Sequence, residues 1–328
     1  MVMTDKSSDN VRQRGALLNN SKEMFNQSIV KGFLLLEFSE IRELQIVCFV
    51  TFSIIYLTAL TGNLLVINVV ALNQYLHTPM YFFLANLSAV DLGYISVTIP
   101  KAIANTILGT RHISYSECVA QVFFFIFFAS SEFFLLTVMA YDRYIAICNP
   151  LQYELLMNKV SCIQMVVSVW LIGLFYAVLH TSCTFGIIFC SNVINQFFCE
   201  IPQLLQLSCS NSYIFEGGAV IFCSVLGIGC FGFIIISYLQ ILKAVLRIPS
   251  VQGREKAIST CLPHLIVLFL FFFTGSIAYL GRASRSSSDM GLMLAVIYSI
   301  IPPFMNPIIY SIRNKDIKRA LWRLINRK

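Results

Sequence analysis

Seven runs of apolar residues, each long enough to cross a lipid bilayer, limit this chain more than any other feature. They cover approximately 44–72, 79–101, 118–144, 160–182, 215–242, 257–281 and 290–312. A spanning helix needs about 20 mostly apolar residues, because the hydrocarbon core is about 30 Å thick. The apolar cores of the first, fifth and seventh runs hold no Asp, Glu, Lys or Arg. Asp91 lies inside the second and Glu132 inside the third. The runs are apolar all round, without the period-two alternation of a membrane barrel, so they are helices. Only 12% of residues are charged, against about 25% in soluble domains. The expected fold is an all-α membrane protein, a seven-transmembrane helix bundle over 44–312.

Lys and Arg set the expected orientation. Lys243, Arg247, Arg254 and Lys256 follow the fifth run. Arg313, Lys315, Lys318, Arg319, Arg323, Arg327 and Lys328 follow the seventh. The stretch Ser182–Ile214 has neither residue type. Alternating spans then place the C-terminus in the cytoplasm and the N-terminus outside, in the plasma membrane. Lys6, Arg12, Arg14, Lys22, Lys31 and Arg42 reduce the contrast. The net charge of +7 is topology signal, not a nucleic-acid footprint. Residues 1–43 form an extracellular segment, its polar first part, 1–23, expected to be disordered. With no compact apolar run behind a basic start, the first span itself is expected to direct insertion. Asn19 and Asn26 open glycosylation sequons in this segment. The tail 313–328 places Ile317, Ala320, Leu321 and Leu324 at helical spacing among basic residues, as a short amphipathic helix on the inner membrane surface does.

Four of the eleven cysteines, Cys118, Cys190, Cys199 and Cys209, fall on the expected outer side. That compartment is oxidising, and four cysteines allow three pairings. The other seven lie in or beside spans, where thiols act as small hydrophobes. Cys118, Phe125, Glu132 and Arg143 share nearly one face of the third helix, because Glu132 and Arg143 are separated by three turns plus about 20°. A buried acid faces the bundle interior, so this face points inward. Arg143 is either a helix-end residue paired with Asp142 or a contact for a partner. Asp91 is either a structural carboxylate bonded to Asn63 or Asn306, or half of a cation site with Glu132, since two interior carboxylates repel unless a cation or proton lies between them. Pro302, Pro303 and Pro307 kink the seventh helix.

Five motifs resemble the odorant-receptor family of rhodopsin-like G-protein-coupled receptors. They are Pro79-Met80-Tyr81-Phe82-Phe83-Leu84; Met139-Ala140-Tyr141-Asp142-Arg143-Tyr144-Ile145-Ala146-Ile147-Cys148; Ser237-Tyr238; Lys256-Ala257-Ile258-Ser259-Thr260-Cys261 with His264; and Pro303 to Tyr310 followed by Ser311-Ile312-Arg313-Asn314. Their order and spacing extend the resemblance over about residues 25 to 325. It implies that Asp142, Arg143 and Tyr144 serve G-protein coupling. Tyr238, His264, Asn306, Pro307 and Tyr310 would join them in activation. It further implies disulfides Cys118–Cys199 and Cys190–Cys209, an interior sodium site at Asp91 and Glu132, and no other cofactor. The implied partner is the stimulatory olfactory G protein, which raises cyclic AMP. Two positions depart from the family pattern: Phe272 stands where many members carry Tyr, and residues 1–23 have no counterpart.

The implied ligand cavity lies among the outer halves of helices three, five, six and seven. Its expected lining is Phe125, Ile126, Ala129, Ser130, Phe222, Leu226, Ser276, Tyr279, Val296 and Ser299. Such a wall, apolar with a few hydroxyls, suits a small volatile odorant. An amine ligand is disfavoured because Phe125 stands where amine receptors place Asp. Retinal is disfavoured because 290–312 has no Lys. A transporter would show repeats between its halves, and none is visible. Membrane catalysis is not expected, because His180 and His264 fall at opposite membrane faces.

Overall fold

The structure, a computed structural model, describes residues 31–36, 41–209, 214–283, 288–313 and 315–325. The sequons at Asn19 and Asn26 and the segment 1–23 lie outside the described residues. Among those described, seven helices are long and apolar enough to cross a membrane. They are α1 (Arg42–Leu72), α2 (Pro79–Leu108), α3 (Tyr115–Cys148), α4 (Lys159–Phe185), α5 (Ile214–Leu246), α6 (Val251–Ala283) and α7 (Ser288–Arg313), and α8 (Lys315–Ile325) follows.

Most of the helices overrun the apolar segments that define them. α2 continues past Lys101 to Leu108, and α6 begins before Lys256. Helical hydrogen bonding propagates past the hydrocarbon edge until the chain meets a stop. For α2 the stop is Gly109, whose φ of 60° suits a residue without Cβ. Pro79 occupies the first turn of α2, where its missing N–H costs nothing. α3 starts on a capping box. Ser114 Oγ accepts from the Glu117 amide at 3.2 Å, and Glu117 Oε2 accepts from the Ser114 amide at 2.9 Å. Lys101 reaches the same carboxylate at 3.3 Å, joining the ends of α2 and α3.

Burial separates central from peripheral helices. In the most apolar stretch of α2, 56% of residues are buried, against 11% in α1 and 17% in α5. The main core joins α2, α3, α4 and α7 through residues such as Phe83, Leu87, Leu135, Leu136 and Tyr310. Outer faces display Ile54, Leu171, Phe175, Ile228 and Phe269, as surfaces solvated by lipid chains do.

Lipid gives no hydrophobic drive for helices to associate, so close approach depends on small residues. Gly173 of α4 is such a point. A Cβ there would lie 2.2 Å from Ser131 Oγ and 3.1 Å from the Phe127 carbonyl oxygen, both on α3. Ser131 is fully buried and has nowhere to move. Gly173→Leu is expected to destabilise the bundle by about 1–3 kcal/mol, the usual range for overpacking, with Gly173→Ala milder. Apparent melting temperatures in detergent measure this, and an unchanged value for Leu would disprove the close α3–α4 approach.

One element has no counterpart in the sequence expectation. Strands β1 (Gly32–Leu35), β2 (His112–Ser114) and β3 (Val193–Ile194) form a small sheet in the order β2-β1-β3. β1 pairs antiparallel to β2, with Phe33 opposite Ile113, and parallel to β3, with Leu34 opposite Val193. Phe33 is fully buried and packs edge-on against Phe189. The chain before α1 is therefore stitched to the loops after α2 and α4.

Candidate functional site

The end of the bundle that carries the small sheet is closed by the segment that follows β3. The structure joins Cys118, in the first turn of α3, to Cys199, and Cys190 to Cys209. The first bond draws residues 196–200 down among the helices, and polar contacts hold them there. Gln121 of α3 accepts from the Cys199 amide at 2.8 Å and donates to the Val97 carbonyl of α2 at 3.0 Å. Gln196 donates to the Gly291 carbonyl of α7 at 2.9 Å. The hydroxyl of Tyr298, also on α7, donates to Glu200.

Beneath this segment lies a cluster of rings. Phe125 stands 5.0 Å from Tyr94, 5.2 Å from Phe198 and 6.0 Å from Tyr298. Phe197 stacks on Phe52 of α1. Sequence reasoning selected Phe125 and missed Tyr94, Phe197, Phe198 and Tyr298. The loop's freedom from Lys and Arg, next to a cysteine, was the one available hint that it enters the bundle.

The other expected lining residues divide. Ile126 packs on the buried cluster around the Cys118–Cys199 bridge. Ala129 and Val296 are half-buried. Ser130 donates to the Ile126 carbonyl at 2.6 Å and Ser299 to the Ala295 carbonyl at 2.7 Å. Each hydroxyl proton is thus committed to its own helix, leaving the oxygen to accept. Ser276 is exposed, and the side chain of Tyr279 lies outside the described residues. Phe222 and Leu226 are 53% and 44% exposed, and Phe222 rests against Phe175 of α4. The structure thus sets Phe222 on the flank of α5 beside α4 and leaves Leu226 exposed, neither of them in contact with the rings below the loop. A helix as uniformly apolar as α5 carries little mark of its rotation in its sequence.

Halfway along the bundle, three polar side chains converge. Asn306 of α7 donates to both oxygens of Asp91, at 3.2 and 3.0 Å, and to Glu132 at 3.3 Å. Both acids are fully buried, so one amide nitrogen bridges carboxylates from α2 and α3. Asn63, expected as a partner for Asp91, instead donates to the Ala59 and Pro303 carbonyls, each at 3.0 Å. Pro307 has no N–H to donate to the Pro303 carbonyl four residues before it, and Asn63 takes up that acceptor, tying α1 to the kink. Glu132 Oε2 and the Asn306 carbonyl oxygen are buried without hydrogen-bond partners. They are buried oxygen lone-pair sources beside two carboxyl groups, a donor type that suits a hard cation.

At the far end, Arg143 turns back onto Asp142, with Nε 2.8 Å from Oδ2 and one terminal nitrogen on the same oxygen. Tyr153, in a helical turn between α3 and α4, donates to Asp142 Oδ1 at 2.8 Å. Burial, then the Asp142 charge, push the Tyr153 hydroxyl above its ordinary range, so it stays a donor. Tyr238 of α5 contacts Nδ1 of His264 on α6. Ile241, Val245 and Cys261 close over Tyr144 and Ile147 of α3. The Arg143 end is therefore shut.

The olfactory receptor family model matches residues 52–328. The chain belongs to the olfactory receptor family. Human olfactory receptor 14I1 is 52% identical over 302 residues, covering 92% of this chain and 97% of that protein. Human olfactory receptor 14J1 is 46% identical over 306 residues, covering 93% and 95%. The crystal structure of squid rhodopsin superposes with a TM-score of 0.69 at 17% identity, covering 87% of this chain and 86% of that one, a likeness of fold. The protein is thus a multi-pass membrane receptor of the G-protein-coupled class, not an enzyme.

Proposed function

We propose that this receptor binds small, mostly apolar volatile odorants beneath the 196–200 segment and activates the stimulatory olfactory G protein, raising cyclic AMP. The supporting observation is the ring cluster of Phe125, Tyr94, Phe198 and Tyr298 under a disulfide-tethered loop. Rings bind apolar ligands by shape and dispersion. The hydroxyls of Ser130 and Ser299 offer acceptor lone pairs to an alcohol or another donor, while their own protons are engaged. Arg143 lies at the opposite end of α3, where release from Asp142 would free it for a partner. The N-terminus is outside and the C-terminus cytoplasmic, since the disulfides require an oxidising side and the basic segments lie at the other end. A panel of neutral volatiles applied to cells holding the olfactory G protein tests this. The expected result is a saturable rise in cyclic AMP for some members. Surface-displayed receptor that answers none, while charged ligands or ion flux give a signal, would reject the reading.

Asp91, Glu132 and Asn306 are further proposed to hold a sodium ion in the resting receptor. Roughly 16 Å of helix separates Glu132 from Arg143, so Arg143 does not neutralise it. An ion that prefers the resting arrangement shifts the population away from signalling. Raising sodium at constant ionic strength should lower agonist-stimulated activity, and Glu132→Gln should blunt that effect. Sensitivity to pH without sensitivity to sodium would replace the ion with a shared proton.

A further inference from the structure

Between α2 and α4, at the end of the bundle that carries Arg143, the surface contains a cavity of about 570 Å³. That is within the size range of ligand pockets, about 300–1,000 Å³. Its wall is apolar and includes Val70, Leu76, Phe82, Ala85, Cys162 and Ile163. Its mouth carries Lys159 and His77, both exposed, and no lining residue is a carboxylate. His77 rests against the Ala71 carbonyl at 3.3 Å, which fixes the loop beside the opening.

The electrostatics of this mouth are one-sided. α2 and α4 both begin here, at Pro79 and Lys159, and neither has an acidic residue in its first turn. Helix N-termini carry a partial positive charge that acids usually offset. Here Lys159 adds a full positive charge to it. An anion in the mouth would relieve that repulsion. Depth identifies the rest of the ligand. Ala85 lies six residues beyond Pro79, about 9 Å along α2 by helical rise, so the cavity runs from the start of the helix into its apolar span. Around it, Leu72, Val160, Ile163 and Val167 are exposed apolar side chains, a rim of the kind that lipid chains solvate.

We infer that this cavity is a binding site for an anionic glycerophospholipid of the adjoining leaflet, with the phosphate end at Lys159 and His77 and an acyl chain along Phe82 and Ala85. Under the orientation proposed above that leaflet is the cytoplasmic one, which is rich in anionic lipid.

The test needs neither odorant nor G protein, so it stands or falls apart from the signalling proposal. Purified receptor in detergent is offered equimolar phosphatidylserine and phosphatidylcholine of identical acyl chains, and retained lipid is counted by native mass spectrometry. The first bound lipid is expected to favour phosphatidylserine about fivefold, the scale of one cationic residue near a membrane surface. Lys159→Glu, which reverses the charge, should bring the ratio to one or below. Ala85→Phe should reduce retention of both lipids by filling the acyl groove without touching the charge. Lys159→Gln, which keeps a polar side chain at an exposed position, repeats the comparison if the Glu variant is poorly folded. Free phosphoserine in excess should not displace the lipid. Equal retention of the two lipids by the unsubstituted receptor, no effect of either Lys159 variant, or displacement by phosphoserine as complete as by lipid would each overturn the assignment.

Discussion

Replacing Cys118 or Cys199 by Ser is expected to remove the receptor from the cell surface. The bond between them spans 81 residues of sequence and holds the loop on which the outer architecture depends. Phe198 against Phe125, Gln121 against the Cys199 amide, Gln196 against Gly291 and Glu200 against Tyr298 all require residues 196–200 to stay between the helices. β3 pairs with β1 just before that segment. Loss of a native disulfide typically costs about 2–5 kcal/mol, a large part of the roughly 5–15 kcal/mol by which folded proteins are stable. Cys190→Ser should cost less, since Cys190–Cys209 closes only 19 residues. Flow cytometry of tagged receptor measures the ranking. Normal display of the Cys118→Ser receptor with an unaltered odorant response would refute the structural role of the bridge.

Arg143→Ala is expected to abolish signalling per displayed receptor and also to lower display. The second effect follows from Asp142, which is 1% exposed. Without the guanidinium, its buried charge keeps only the Tyr153 hydrogen bond, and breaking a buried ion pair from one side costs about 3–5 kcal/mol. Asp142→Asn in the same chain should restore display without restoring response, which separates folding from coupling. Tyr153→Phe probes the lock from the other direction. It removes one hydrogen bond, worth about 0.5–1.5 kcal/mol, so ligand-free cyclic AMP should rise about two- to tenfold. Response normalised to surface receptor is the deciding quantity. A full normalised response from Arg143→Ala would dismiss Arg143 as the coupling residue.

The seven spans were legible in the amino-acid sequence because the requirement behind them is local. About 20 apolar residues either satisfy the bilayer or do not, wherever the rest of the chain lies. The motif around Asp142 and Arg143, and the family it signals, were legible for the same reason. The common face of Cys118, Phe125, Glu132 and Arg143 needed only helical geometry. Everything that depended on which helix turns toward which needed the fold. Asn63 could have bonded Asp91 or the kinked backbone of α7. Only the packing of α1 on α7 directs it to the Pro303 carbonyl. That Ser130 and Ser299 can only accept from a ligand, and not donate to it, emerges once their protons are traced to carbonyls one turn back. Phe222 and Leu226 are as apolar as any pocket lining, and in a membrane helix a lipid-facing side chain has the same chemistry as a ligand-facing one. The strands, two to four residues long, carry no period that a sequence could reveal, and they form only because loops distant in the chain meet above α3. Composition and period thus determined that this chain enters the membrane and how often it crosses. Contacts between distant residues, which exist only once the helices have packed, decided where its loops dock, which acids share an amide and which aromatic rings stand together.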